Sequence, residues 1–166
     1  MALLSTLATA ASHCYSGEST YFSCPIAGSK KVVSLCGSAD LLSKLGDNFN
    51  DSWLQYRFGV PGTPELIYPR KKTGSVEMFT ASWSQHKPIS KDYTWGIDDN
   101  ISFTSGSAKY MILVARYESE SYGVSATHDG KQVFFPCAGA SATRYATVGD
   151  TNGKFSRLVR ILAKPG

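Results

Sequence analysis

Acid–base or nucleophilic chemistry in this chain would have to start from few residues. Its three histidines, His13, His86 and His128, stand apart, in an N-terminal segment, a polar loop and a hairpin tip. None belongs to a HExxH or HxH arrangement, and an isolated loop histidine is usually surface decoration. Carboxylates occur in two close groups, Asp98 with Asp99 and Glu118 with Glu120. Paired carboxylates can work on glycosides, but adjacent acids in a loop and alternate acids at a strand end read first as solvated faces. The serines lack a GxSxG elbow, and the glycines form neither a Walker loop nor a dinucleotide fingerprint. The four cysteines, Cys14, Cys24, Cys36 and Cys137, make no CxxC pair and no Cys/His cluster with zinc spacing. The expectation is therefore a protein that is not an enzyme, with no catalytic residues, no metal and no cofactor.

The cysteines are better read as disulfides. An even count beside the small and apolar start MALLSTLATAAS fits an exported chain in an oxidising compartment, periplasmic or secreted. Residues 1–19 then form an N-terminal segment, either the remnant of an export signal or a stretch packed on the domain, and residues 20–166 a single β domain. No apolar run approaches the roughly 20 residues of a membrane span. Seventeen Lys and Arg against thirteen Asp and Glu leave a net charge of +4. The basic residues are scattered, and their one cluster, Arg70, Lys71 and Lys72, reads as a solvated turn, so no nucleic-acid partner is expected.

What must position any functional residue is a β framework. Short runs rich in β-branched and aromatic residues recur at 20–26, 31–38, 53–59, 64–69, 76–83, 100–106, 109–119, 122–128 and 131–137, punctuated by Gly, Pro, Asn and Asp. The fold class this predicts is all-β: an antiparallel β sandwich or barrel of about 8 strands with one short helix. In 109–119 both alternating sets are apolar, which suits a central strand covered on both sides. Asp129 and Gly130 suit a two-residue primed turn, which sets His128 opposite Lys131, Ala126 opposite Val133 and Val124 opposite Phe135. Phe134 falls on the other face, either partly covered or exposed. SADLLSKLGDN (38–48) is the best helix candidate, and KFSRLVRIL (154–162) reads as a final strand or helix.

A first hairpin turning at Gly28 and Ser29 sets Cys24 opposite Val33 and Cys36 opposite Tyr21 or Phe22. Cys24 and Cys36 then do not face each other, so Cys137 is expected to bridge back to one of them.

FSCP, KVVSLCGS, LQYRFG followed by PELIYP, a Ser/Gly loop running into an aromatic strand (SGSAKY), and GVSATHDGKQVFFPC come in that order over residues 20 to 138. This order resembles a group of exported bacterial domains that includes the periplasmic inhibitors of i-type lysozyme. The resemblance implies an antiparallel β sandwich or barrel, a homodimer, and a loop of pattern SGxxY that enters the lysozyme cleft and hydrogen-bonds to its carboxylates. Carried over, Ser105, Gly106 and Tyr110 are the counterparts, with three residues rather than two between Gly106 and Tyr110. Ser107 and Lys109 are added as partner-binding candidates: a small hydroxyl enters a carboxylate-lined cleft and a cation offsets its charge. The function implied is occlusion of a lysozyme-like wall hydrolase. Two other readings stand beside it: an immunity protein or other partner-binding module aimed at a toxin, and a sugar-binding domain using Trp53, Trp83 and Trp95.

Overall fold

In the computed structural model, residues 12–43, 49–87, 96–116, 120–139 and 153–163 are described. They form two antiparallel sheets and one helix, an all-β sandwich. The first sheet has the order β1 (Ser19–Pro25), β2 (Val32–Gly37), β3 (Leu54–Val60), β4 (Thr63–Tyr68). The second runs β5 (Thr80–His86), β6 (Gly96–Ser105), β7 (Ala108–Arg116), β8 (Glu120–His128), β9 (Lys131–Pro136). Every neighbour in a sheet is the neighbour in sequence, as short turns favour. β7 is the central strand of the second sheet, and its Ile112 and Val114 are fully buried.

Alternation puts one face of each sheet into a shared core. Phe22, Val33, Leu35 and Tyr56 of the first sheet meet Ile101, Phe103, Ile112 and Val124 of the second. Its densest part is aromatic: Phe103 stacks on Tyr68 at 4.5 Å and on Tyr110 at 5.0 Å, with Tyr56 at 4.9 Å. Burial lifts the Tyr56 hydroxyl above the ordinary phenol range, so the core holds it neutral. On the outer face of the second sheet, Phe134 lies across Gly123, where an added Cβ would fall 2.5 Å from the ring. Phe134 is thus seated on one side and still 42% exposed.

The sheets are joined where β1 meets the end of β9. Ile26 pairs with Cys137, Ala27 N–H donates to the Pro136 carbonyl, and Cys24 is bonded to Cys137. The other bridge is Cys14–Cys36. Cys24 and Cys36 lie on opposite faces of the first sheet, which is why neither pairs with the other. The register differs from the sequence expectation at one point: a bulge between Thr20 and Phe22 sets Cys36 opposite Thr20. The extra residue, Tyr21, turns its ring across Gly37 and donates its hydroxyl to the Ser38 carbonyl at 2.5 Å, and burial raises its pKa to about 12.

The outer face of the first sheet is polar yet buried, because residues 12–18 lie across it. Arg57, 2% exposed, donates to the His13 carbonyl at 2.8 Å and grips Glu18 through two bonds of 2.6 and 3.0 Å. His13 is buried rather than decorative: its Nε2 is 3.0 Å from the Gly59 carbonyl, which can only accept, so that nitrogen carries the proton. Burial alone would raise the Glu18 pKa; hydrogen bonds from Arg57, the Tyr15 N–H and Lys72 outweigh it and hold the carboxyl at about 2, below its ordinary 4.5. A lowered acid pKa stabilises the fold above the unfolded value and loses that contribution as pH falls from about 4.5 toward 2. At neutral pH Glu18→Gln is expected to lose about 2–3 kcal/mol, and the gap to the parent to close on acidification through that window. Urea midpoints for both proteins near pH 7 and pH 3 check this.

Two expectations are corrected. Leu41–Ser43 form a single 3-10 turn in place of the helix proposed at 38–48, whose residues 44–48 lie outside the described ones. The run 76–83 splits into a 3-10 turn at Val76–Met78 and the start of β5. Of the two readings of 154–162, strand or helix, the helix is found: α1 (Lys154–Leu162) buries Phe155, Leu158 and Val159, an i, i+3, i+4 stripe.

The pair Asp98 and Asp99 lies within β6 and not in a loop. Asp99 faces inward with no exposed surface. It accepts from Ser156 Oγ at 2.6 Å and Arg116 at 3.3 Å and is ion-paired with Arg160, so α1 is anchored to the sheet through one carboxylate. Arg160 also lies over the Trp83 ring at 4.2 Å. Of the second acidic pair, Glu118 lies outside the described residues.

Candidate functional site

The residues singled out around SGSAKY form the turn between β6 and β7. Ser105 pairs with Ala108, leaving Gly106 and Ser107 as a two-residue hairpin turn. Gly106 has φ 61°, and no positive φ is found at Ser107, which is the primed geometry with glycine first that matches the twist of the strands. Gly106, Ser107 and Lys109 are exposed, and Ser105 is half-buried. Tyr110 stands apart from this group: its ring is half-buried, stacked on Phe103 and 6.1 Å from Tyr56. It roots the hairpin in the core, and the surface of the tip is made by Gly106, Ser107 and Lys109.

A second tip stands beside the first. Because β7 pairs with β8, with Lys109 opposite Thr127, the turn at Asp129–Gly130 emerges at the same end of the sheet. Asp129 takes φ 49° and Gly130 φ 72°, the pair of positive angles that a DG primed turn requires, and the predicted register of β8 and β9 is the one found. The Ser107 hydroxyl lies 3.1 Å from His128 Nδ1, and His128 Nε2 lies 3.2 Å from Asp129 Oδ2. Hydroxyl, imidazole and carboxylate thus follow one another in the order of a nucleophile relay. The setting is open to solvent, the His128 side chain being 58% and that of Asp129 81% exposed. Water competes for every bond there and screens the carboxylate. The contact brings the two tips together at one end of the sheet, with the Ser107 hydroxyl at the surface.

The sequence reading did not find this contact, since Ser107 and His128 lie 21 residues apart. The usable signal was the DG turn combined with the tendency of consecutive strands to be neighbours.

His86 gathers a second group. It ends β5, not a loop, with Ser84 Oγ at 3.0 Å and Asp98 Oδ2 at 3.3 Å, both at the same Nε2. A single ring nitrogen holds either a proton or a lone pair, so it cannot take a proton from Ser84 while donating one to Asp98. Of the tryptophans considered for sugar binding, Trp53 lies within 3.8 Å of the Lys72 ammonium, Trp83 is half exposed under Arg160, and Trp95 lies outside the described residues. Among the described residues no group of His, Cys, Asp and Glu could hold a metal ion, and no helix is long and apolar enough to cross a membrane. No family model, curated protein or solved structure matches the chain.

Proposed function

We propose that this protein is a non-enzymatic binding protein of an oxidising compartment, the periplasm or the cell exterior, that occludes the active-site cleft of a lysozyme-like wall hydrolase with its β6–β7 tip. The observation that carries the reading is the exposed turn Gly106–Ser107, flanked by Lys109, at the end of a hairpin rooted in the aromatic core by Tyr110. Such a tip is preorganised, so little conformational entropy is lost when it enters a groove. A glycosidase groove holds two carboxylates, one of them protonated, and a hydroxyl with a neighbouring ammonium complements both. The two disulfides fit a compartment where such enzymes act.

The test is inhibition of an i-type lysozyme on a cell-wall suspension. Ser107→Trp fills the tip without touching the core and is expected to weaken inhibition at least about tenfold, the scale of one lost central contact. Tyr110→Phe keeps the stack and is expected to leave inhibition nearly intact. Absence of inhibition of every lysozyme class ends this reading. Hydrolysis of a p-nitrophenyl ester that vanishes in both Ser107→Ala and His128→Ala would replace it with an enzymatic one.

A further inference from the structure

We infer that the step beside the β6–β7 tip is a binding site for a carboxylate-bearing sugar, of the size of one monosaccharide. β5 begins opposite Ser102, so β6 runs on through Phe103, Thr104 and Ser105 with no described strand on that side. The missing strand leaves a cleft of about 380 Å³. Tyr68 and Met78 give it apolar surface, Met78 being 49% exposed, while Phe103, also at the lining, is only 4% exposed and stacked on Tyr68 and Tyr110. Thr80, Ser102, Thr104 and Lys109 line it as well, three hydroxyl-bearing side chains and one ammonium.

These groups sort by chemistry. An aromatic and thioether wall takes the C–H face of a sugar ring. Three hydroxyls, each both donor and acceptor, match a ligand that is itself a set of hydroxyls. Lys109 supplies charge: no carboxylate of the described residues pairs with it. An ammonium at the rim of a part-apolar cleft selects an anion, and a carboxylate is the charge that sugars of this size most simply carry. The volume lies at the lower end of the range for small-molecule sites, which suits one ring and not a chain.

Two pairs of sugars test the inference in the absence of any protein partner: glucuronic acid with glucose, which differ by a carboxylate in place of a hydroxymethyl, and N-acetylmuramic acid with N-acetylglucosamine, which differ by a lactyl ether that bears the carboxylate. Amide shifts of the full, disulfide-bonded chain are followed by NMR during titration. Saturable shifts at Thr104 and Lys109 are expected for the acids, with each neutral partner binding about tenfold more weakly, the worth of one charge-assisted hydrogen bond. Lys109→Gln is expected to erase the difference within each pair, and Ser107→Trp to preserve it. Which acid binds more tightly distinguishes a wall-derived ligand from a uronic acid. No saturable shift with either acid, equal affinity within the pairs, or a Lys109→Gln protein that still prefers the acids overturns the inference. Lysozyme inhibition is measured separately, so either result leaves the occlusion reading to its own test.

Discussion

Removing the Cys24–Cys137 bridge by paired replacement with alanine is expected to lower the unfolding free energy by about 4–5 kcal/mol, the larger of the two disulfide effects. The bridged cysteines are 113 residues apart. A cross-link restricts the unfolded chain by an amount that grows with the logarithm of the loop it closes, so a long loop gives the larger effect. Cys14 and Cys36 are 22 residues apart, and their removal is expected to cost about 3 kcal/mol. Location adds to the contrast. Cys24–Cys137 ties the first sheet to the second beside the Ile26–Cys137 pairing, whereas Cys14–Cys36 ties down only the strap of residues 12–18. Denaturant midpoints of the two double variants give the comparison directly. A smaller loss for Cys24 and Cys137 than for Cys14 and Cys36 would show that core packing alone holds the sheets in register.

Asp99→Ala is expected to cost about 3–5 kcal/mol, because it removes the one buried carboxylate that Arg116 and Arg160 share. Arg116 and Arg160 then lose the carboxylate they share, and the Ser156 hydroxyl loses this acceptor. Loss of α1 from the sheet should precede global unfolding, and Trp83, which lies under Arg160, reports it by fluorescence. Replacing Asp99, Arg116 and Arg160 together with apolar residues of similar volume is expected to recover most of the loss, since the cost lies in uncompensated charge and not in the absence of an ion pair. Urea unfolding followed by circular dichroism and by Trp fluorescence checks both expectations. A single-variant loss under about 1 kcal/mol would mean that water reaches the site and solvates the arginines.

The sandwich was legible because its signals are local. Alternating apolar residues and the DG pair at 129–130 are read within a few positions, and they gave the β8–β9 register as found. That Cys24 and Cys36 do not face each other followed from the hairpin register in the same way. The bulge at Tyr21 broke that register for a reason several residues removed, the bare surface of Gly37 that its ring covers. The pair Asp98 and Asp99 misled because a lone acid looks the same whether water or an arginine answers it. Arg160 arrives from a helix at the other end of the chain. Glu18 and Arg57 are alike in this, since an acid outside the sheet and a base within it become partners only when the strap crosses.

The candidate site divides along the same line. Gly106 in a turn is a consequence of local pattern, and residue types alone singled out Ser105, Ser107, Lys109 and Tyr110 as candidates. That Ser107 meets His128, that Tyr110 spends its ring on Phe103, and that Lys109 stands over a cleft left by the late start of β5 were decided by how the strands assemble. Backbone preference acts over a few residues and is written in the chain. Charge pairing and cavities act through space between segments whose meeting is a product of the whole fold.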